Sequence, residues 1–381
     1  MNGGVDPQHR SRGVVVVHER FTERGGAESV VEVIASMTGA DRILAPLFDP
    51  RVVDPDLAHL VRTGLLQRLY RGGTRYEHLL PMLPSVFAGM EVGDAELVVV
   101  SHHAFANRVR VRDGIPVVSY THTPARWMWD ERMLALEDGG GVRSRALGAW
   151  AARQRASDWA AARRPDVIVV NSTTVAERVE HWWHRSSIVV PPPVDTVFFS
   201  PDPSTRRERF FLWAGRLVPY KRPEVAVLAA RAAGVPLVVA GDGRARPSLE
   251  PIAGPDTTFL GRVSRPELRH LFRTCCAVVF PGEEDFGIVP VEALACGTPV
   301  LALDAGGVRD TVLPGAHGVL VDAADRSTEA LVERFAAAMR SMPDLDPASL
   351  RARAEHFSTE AFRERFRAVL AGVRSTGGAE R

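Results

Sequence analysis

The 381-residue chain almost lacks lysine: of its 47 basic residues, only Lys221 is not an arginine. It is also poor in cysteine, with three, and in aromatic residues, at 7%. An odd, small number of cysteines in a long chain excludes a disulfide framework and points to a reducing compartment, the cytoplasm. No apolar run approaches the roughly 18 residues of a membrane-spanning helix. Residues 1–12 are polar and carry no apolar core of a signal sequence, so they read as a disordered tail. Net charge is small as well: 47 basic against 46 acidic residues leaves +1. That balance gives no field for bulk nucleic-acid binding. Where arginine serves for nearly every positive charge, a single lysine marks a position that wants a compact ammonium on a flexible stem, unless it stands there by chance.

What the chain does have is alternation. Short, continuous apolar runs at 13–18, 97–101, 116–120 and 167–171 read as parallel strands buried on both faces. Helical patterns lie between them, at 27–37, 143–163 and 173–184, the last with Ser172 as its N-cap. The prolines at 191–193 break the pattern, since three in a row fit neither a helix nor a central strand. They make a stiff connector and a domain boundary. The alternation then resumes, with strands at 210–214, 237–240, 277–280 and 299–303. Helices follow at 223–233, 265–273, 290–296, 328–342 and 359–373. Two βα halves imply an α/β chain of two doubly wound, Rossmann-like domains that face a cleft, at 13–195 and 196–357. Residues 358–381 would hold a helix returning to the first domain, then a tail.

Two segments carry chemistry. Gly215 and Arg216 follow a strand, and Lys221 closes the same loop just before a helix that opens with Pro223. A guanidinium fork and an ammonium near a helix N-terminus suit a diphosphate, although a solvated basic loop would look the same. Further on, Glu284 and Glu292 have seven residues between them. With Pro290 in the first helical turn, Glu284 falls in the loop and Glu292 inside the helix. Carboxylates so placed accept hydrogen bonds from diols, with Gly287 leaving backbone N–H groups open between them. A lone pair of acids at a helix start would need no ligand.

In sequence, residues 213–310 resemble the C-terminal half of glycosyltransferase family 4, of GT-B architecture. The matched elements are Gly215-Arg216, Lys221, Gly241-Asp242-Gly243, Phe259-Leu260-Gly261, Phe280-Pro281, the segment from Glu284 to Glu292, Cys296 to Val300, and Gly306-Gly307. The N-terminal half resembles the mannosyltransferase-like branch of O-antigen biosynthesis. Its matching residues are Gly25-Gly26-Ala27-Glu28, Ser101-His102-His103, His122-Thr123-Pro124, Trp129-Asp130, Asn171-Ser172 and Pro192 to Asp195. One departure stands at His18-Glu19, where the branch often has a His-Asp pair; it bears on acceptor contacts more than on donor contacts.

The resemblance implies a retaining hexosyltransferase that uses no cofactor and no metal. A nucleoside-diphosphate sugar, with GDP-mannose preferred, would bind the C-terminal domain, and a hydroxyl acceptor the N-terminal one. The implied catalytic residues are His122, Arg216, Lys221 and Glu284. Donor contacts would come from Gly26, Gly215, Gly241, Asp285, Phe286, Gly287 and Glu292, besides Arg216 and Lys221. Gly25, Glu28 and Arg126 would lie on the acceptor side. A lipid-linked glycan of a polysaccharide pathway or a soluble secondary metabolite would serve as acceptor. A nucleotide-sugar epimerase or a silent binding protein on the same fold is the alternative. Two arginine-rich stretches, 62–78 and 143–164, interleave Leu, Tyr and Trp. They fit weak peripheral contact with an anionic membrane face, and equally a solvated helix face over core tryptophans.

Overall fold

The computed structural model describes residues 13–70, 76–131, 133 and 142–378. Two parallel sheets organise them. The first comprises β1 (Val14–His18), β2 (Arg42–Leu44), β3 (Val61–Arg62), β4 (Leu97–His102), β5 (Val117–Thr121), β6 (Val167–Val170) and β7 (Ile188–Val189), in the order β3-β2-β1-β4-β5-β6-β7. The second comprises β8 (Phe211–Ala214), β9 (Leu237–Ala240), β10 (Thr257–Gly261), β11 (Ala277–Phe280), β12 (Val300–Leu303) and β13 (Gly318–Val321), in the order β10-β9-β8-β11-β12-β13. Both are doubly wound and reverse direction beside their first strand, between β1 and β4 and between β8 and β11. Ligand crevices of such sheets open there, at the carboxyl ends of the strands.

Burial explains the strand sequences. Val14–His18 and Leu97–His102 are buried at every residue, as continuous apolar runs in a parallel sheet should be. Helices cover both faces of each sheet. Gly26–Thr38 buries Val30, Val31 and Ile34 against one side of the first. The same face receives the last helix, Thr359–Gly378, whose Phe362 and Phe366 lie 5.8 and 6.2 Å from the Tyr120 ring. The chain thus crosses between the sheets twice, and the crossings touch: Val194 N–H donates to Phe357 O at 2.9 Å, just after the prolines at 191–193.

One sequence expectation needs revision. The helix predicted over 173–184 is α-helical only for Thr173–Arg178. It widens into a π-turn at Val179–Trp183 and stops at His184, whose φ of 52° is left-handed. The widened turn seats Trp183, whose Nε1–H donates 2.9 Å to buried Asp158. The arginine-rich helix, Val142–Ala161, turns Arg155 and buried Asp158 inward and leaves Arg153 exposed. Arg155 donates to Met128 O, Arg164 to Val109 O, and Gln154 accepts from Arg108. Trp150 stacks on Trp127 at 5.3 Å, while exposed Trp159 lies under the Arg163 guanidinium. Of the first basic stretch, Arg71 and Arg75 lie outside the described residues, as do the side chains of Arg143 and Arg145 and the tail 1–12.

Candidate functional site

The C-terminal crevice is assembled by close backbone approach. Gly215 ends β8 and Gly241 ends β9, and a Cβ on Gly241 would lie 1.8 Å from Gly215 O. No side chain fits, so glycine lets the two loops meet. A second such contact presses Gly306 and Gly307 onto the 284–286 segment, with a Gly307 Cβ 2.2 Å from Asp285 O. The loops after β8, β9, β11 and β12 are therefore locked edge to edge, and the predicted donor residues of this half share one rim.

Within that rim Lys221 Nζ lies 2.5 Å from Glu284 Oε1. Burial works against the lysine's charge, but the Glu284 carboxylate outweighs it and holds the Lys221 pKa above its ordinary value. Arg216 reaches across the cleft to Glu23 of the first domain, Nη1 to Oε2, at 3.1 Å. Its pKa is raised too: burial opposes, and Glu23 with Tyr220 outweighs. Each cation thus rests on a carboxylate. Glu292 differs. It lies inside the helix Ile288–Ala295 with no hydrogen bond or ion pair recorded for its carboxyl among the described residues. Burial pushes its pKa up to about 8, against the pull of Arg265 and with a contribution from Asp195. In the same domain a groove of about 480 Å³ is lined by Leu260, Val263, His270 and Leu271, with Arg262, Pro266 and Glu267.

The 285–287 segment serves the domain seam as well. Asp285 binds the Arg178 guanidinium, and its carbonyl accepts from Ser172 Oγ at 2.5 Å. Phe286 is buried against Phe357, which leaves only its backbone toward the cleft. Gly287, at φ 86°, caps the Ile288–Ala295 helix. Arg126, expected on the acceptor side, donates to Glu283 O at 3.0 Å and pairs with the Glu283 carboxylate at 3.6 Å. Arg178, without signal in the sequence, completes this cluster at 3.0 Å from Glu283.

On the other wall, Gly25 caps the Gly26–Thr38 helix, and a Cβ on Gly26 would come within 2.3 Å of Ile288 Cδ1. Glu28, the other residue expected to face acceptor, is buried and points at His18, Oε1 to Nε2, at 3.7 Å. Glu19 faces inward too. Its Oε1 accepts from the backbone N–H of Ala104, Phe105 and Ala106 at 2.5–2.9 Å, fixing the loop after β4. The His18-Glu19 pair is thus an internal brace. His122 sits just beyond β5, half-buried, its Nε2 2.9 Å from Ser101 Oγ. Burial, with the neighbouring His18, holds its pKa down at about 3, so the ring is neutral. Burial lowers His103 as well, helped by Arg20, which donates to its Nε2 at 2.9 Å. His18 and Ser101, named in the sequence only as members of their motifs, had been given no individual role. Among the described residues no three His, Cys, Asp or Glu side chains gather as a metal cage.

Two Rossmann-like sheets with their switch points facing, one rim basic and acidic, the other rich in neutral histidine, define the GT-B class of fold. The chain belongs to it: residues 24–198 match the glycosyltransferase family 4 model, and residues 198–356 the model of glycosyl transferases group 1. Similar curated proteins include the D-inositol 3-phosphate glycosyltransferases of Mycolicibacterium smegmatis, 34% identical over 181 residues, and of Mycobacterium marinum, 35% over 192. Those alignments take in 43% and 45% of this chain and 39% of each relative, so the match spans about two fifths of their length. Among solved structures, the Thermosynechococcus elongatus sucrose-phosphate synthase superposes with a TM-score of 0.70, covering 96% of this chain and 100% of its own, at 18% identity. Anabaena HepE in complex with UDP and glucose gives 0.63, covering 94% and 99%, also at 18% identity. These likenesses establish the fold.

Proposed function

We propose that the protein transfers a hexosyl group from a nucleoside-diphosphate sugar to a hydroxyl acceptor, with retention and without a metal ion. The observation that carries this reading is the pair of cations after β8, Arg216 and Lys221, each held against a carboxylate at 3.1 and 2.5 Å. A diphosphate presents the same acceptor oxygens with more charge and would replace Glu23 and Glu284 at both. Charge-assisted contacts of this kind stabilise the negative charge that grows on the leaving group. Glu292, lacking a protein partner, would accept from a ribose diol, with the base in the Leu260–His270 groove. Glu284, released from Lys221, would turn to the sugar together with backbone N–H groups at 285–287.

Retention fits the absence of a poised nucleophile among the described residues. Glu19 and Glu28 are buried away from the cleft, and Glu284, once released from Lys221, would be engaged by sugar hydroxyls. A same-face displacement then asks only for positioning and charge stabilisation, with the departing diphosphate taking the acceptor's proton. GDP-mannose is the donor of the branch that the N-terminal motifs resemble. The similar HepE was solved with UDP and glucose, which makes a UDP-hexose the competing donor. A lipid-linked glycan and a phosphorylated polyol, the latter from the name of the mycobacterial relatives, are the two acceptors to separate. The domains would divide as 13–195 for acceptor and 196–357 for donor.

The test is mass-spectrometric: GDP- and UDP-hexoses, each with lipid-linked and polyol acceptors, in excess chelator. Transfer to an acceptor from one donor supports the reading. An epimerised sugar or free sugar alone would favour an epimerase or hydrolase, and no chemistry with any donor a binding protein.

A further inference from the structure

We propose that Arg126, Ser172 and Arg178 of the first domain are positioning residues for the donor sugar. They grip Glu283 and Asp285, and so set Glu284 and the backbone N–H groups of Glu284 and Phe286 toward the sugar beside Lys221. The inference rests on the reading of the 284–287 segment as the sugar-binding face, and adds that a site carried by the second domain is completed by the first.

Three acids stand in a row, and their side chains part. Glu283 and Asp285 both meet the Arg178 guanidinium, Glu283 at 3.0 Å, and Arg126 lies 3.6 and 3.7 Å from the same two carboxylates. Glu284, between them, turns away and reaches Lys221 at 2.5 Å. This is the alternation of an extended segment, in which side chains i and i+2 share a side. The side chains of Arg126 and Arg178 are only 10% exposed, so salt screens these pairs little. Burial opposes the charge of Glu283, but Arg326, Arg126 and Arg178 outweigh it and hold its pKa below the ordinary value. A planar fork that spans two carboxylates fixes the direction of both, which a point charge would not.

The backbone follows the same anchors. Glu283 O accepts from Arg126 Nη1 at 3.0 Å and Asp285 O from Ser172 Oγ at 2.5 Å, both donors belonging to the first domain. Glu284 O, between them, accepts from Gly307 N–H of the second domain at 2.9 Å. Across a trans peptide the carbonyl and the next N–H point in opposite directions. With carbonyls 283 and 285 held by the first domain, the N–H groups of Glu284 and Phe286 turn back toward the second, where Lys221 lies. Neither N–H has an acceptor recorded among the described residues. A backbone donor on a residue as buried as Phe286 seldom lacks a partner, and a sugar hydroxyl supplies one.

The nucleoside diphosphate should not depend on this grip, because Arg216, Lys221 and Glu292 lie outside it. That difference separates positioning from a general loss of fold. Calorimetric titration of GDP, UDP, GDP-mannose and UDP-glucose into the full chain reads it. Arg178→Gln should weaken the nucleotide sugar that the wild type binds about tenfold, the value of one hydrogen bond, and leave its parent nucleoside diphosphate within twofold. Asp285→Asn is isosteric, removes the grip from the other side and carries the test alone if Arg178→Gln does not fold. The two together should weaken binding little more than either alone, since both break one contact. A second readout needs no ligand: the Phe286 amide signal of protein labelled with ¹⁵N-phenylalanine, assigned by Phe286→Leu. It should be single and sharp in the wild type, and broadened or split in both variants. Equal losses for nucleotide sugar and nucleoside diphosphate, no loss for either, or an amide signal alike in all three proteins overturns the proposal. A wild type that binds no nucleotide sugar counts against the donor reading alone, while the amide signal still decides the grip.

Discussion

Replacing Glu292 by Gln should make the protein more stable and a poorer donor binder at once. The folded carboxyl keeps its proton to about pH 8, while the unfolded one loses it near its ordinary 4.5. Between those values the unfolded chain binds fewer protons, so stability falls as pH rises through that window. At about 1.4 kcal/mol per pKa unit, retaining the proton at pH 7 costs the fold about 3 kcal/mol. Glutamine has the same shape and no charge to bury, and removes that cost. For a domain of this size each kcal/mol corresponds to roughly 2–4 °C in melting temperature, so a rise of several degrees is expected at pH 7. Below pH 4.5, where Glu292 is protonated in both states, the variant and wild type should converge. Donor affinity should move the other way, about tenfold weaker, because a ribose diol can draw the wild-type carboxyl to its ionised form with two acceptor oxygens, which the amide cannot adopt. Thermal melts from pH 4 to 8, followed by fluorescence, provide the readout. A Glu292→Gln protein that melts with or below the wild type at pH 7, with no convergence in acid, would refute the burial argument.

Lys221→Ala should cut donor turnover by the worth of a charge-assisted bond, about 1.5–3 kcal/mol or ten- to hundredfold, with far less effect on melting. Activity within twofold of wild type would remove Lys221 from the diphosphate site. Gly241→Ala should destabilise by about 2–4 kcal/mol, since its Cβ would lie 1.8 Å from Gly215 O; an unchanged melting curve would contradict that packing. Leu65 and Leu69 are 76% and 58% exposed beside Arg68. Salt-sensitive sedimentation with anionic liposomes, reduced by substituting these three, would support membrane contact at about 1 kcal/mol per basic residue. No bound protein at low salt would exclude it.

The long strands were legible because burial on both faces leaves an unmistakable run: Val14 to Val17 could hardly be anything else. The edge strands were not. β3 and β7 have two residues each, β10 alternates half-buried Thr257 and Phe259 with exposed Thr258 and Leu260, and β13 begins at Gly318. The C-terminal rim could be read because its residues follow one another along 215–307, on loops of successive strands. Contacts across the cleft could not. Arg216 and Glu23 are 193 positions apart, and Arg178 and Asp285 are 107. Nothing local to Arg178 distinguishes it from the many other arginines. The contacts of His18 with Ser101 and of Ser101 with His122 follow from the register of three parallel strands, which no single segment reveals. Arg126 and Glu28 were assigned to acceptor from their place in motifs, which announce neither the contact of Arg126 with Glu283 nor that of Glu28 with His18.

The central claim is that a nucleoside diphosphate binds between Arg216, Lys221 and Glu292. Calorimetric titration of GDP and of UDP into the full chain, in excess chelator, tests it most directly. One of the two should bind, with affinity at least tenfold weaker in Lys221→Ala and in Glu292→Gln. Failure of both nucleotides to bind, or binding indifferent to both substitutions, would contradict it.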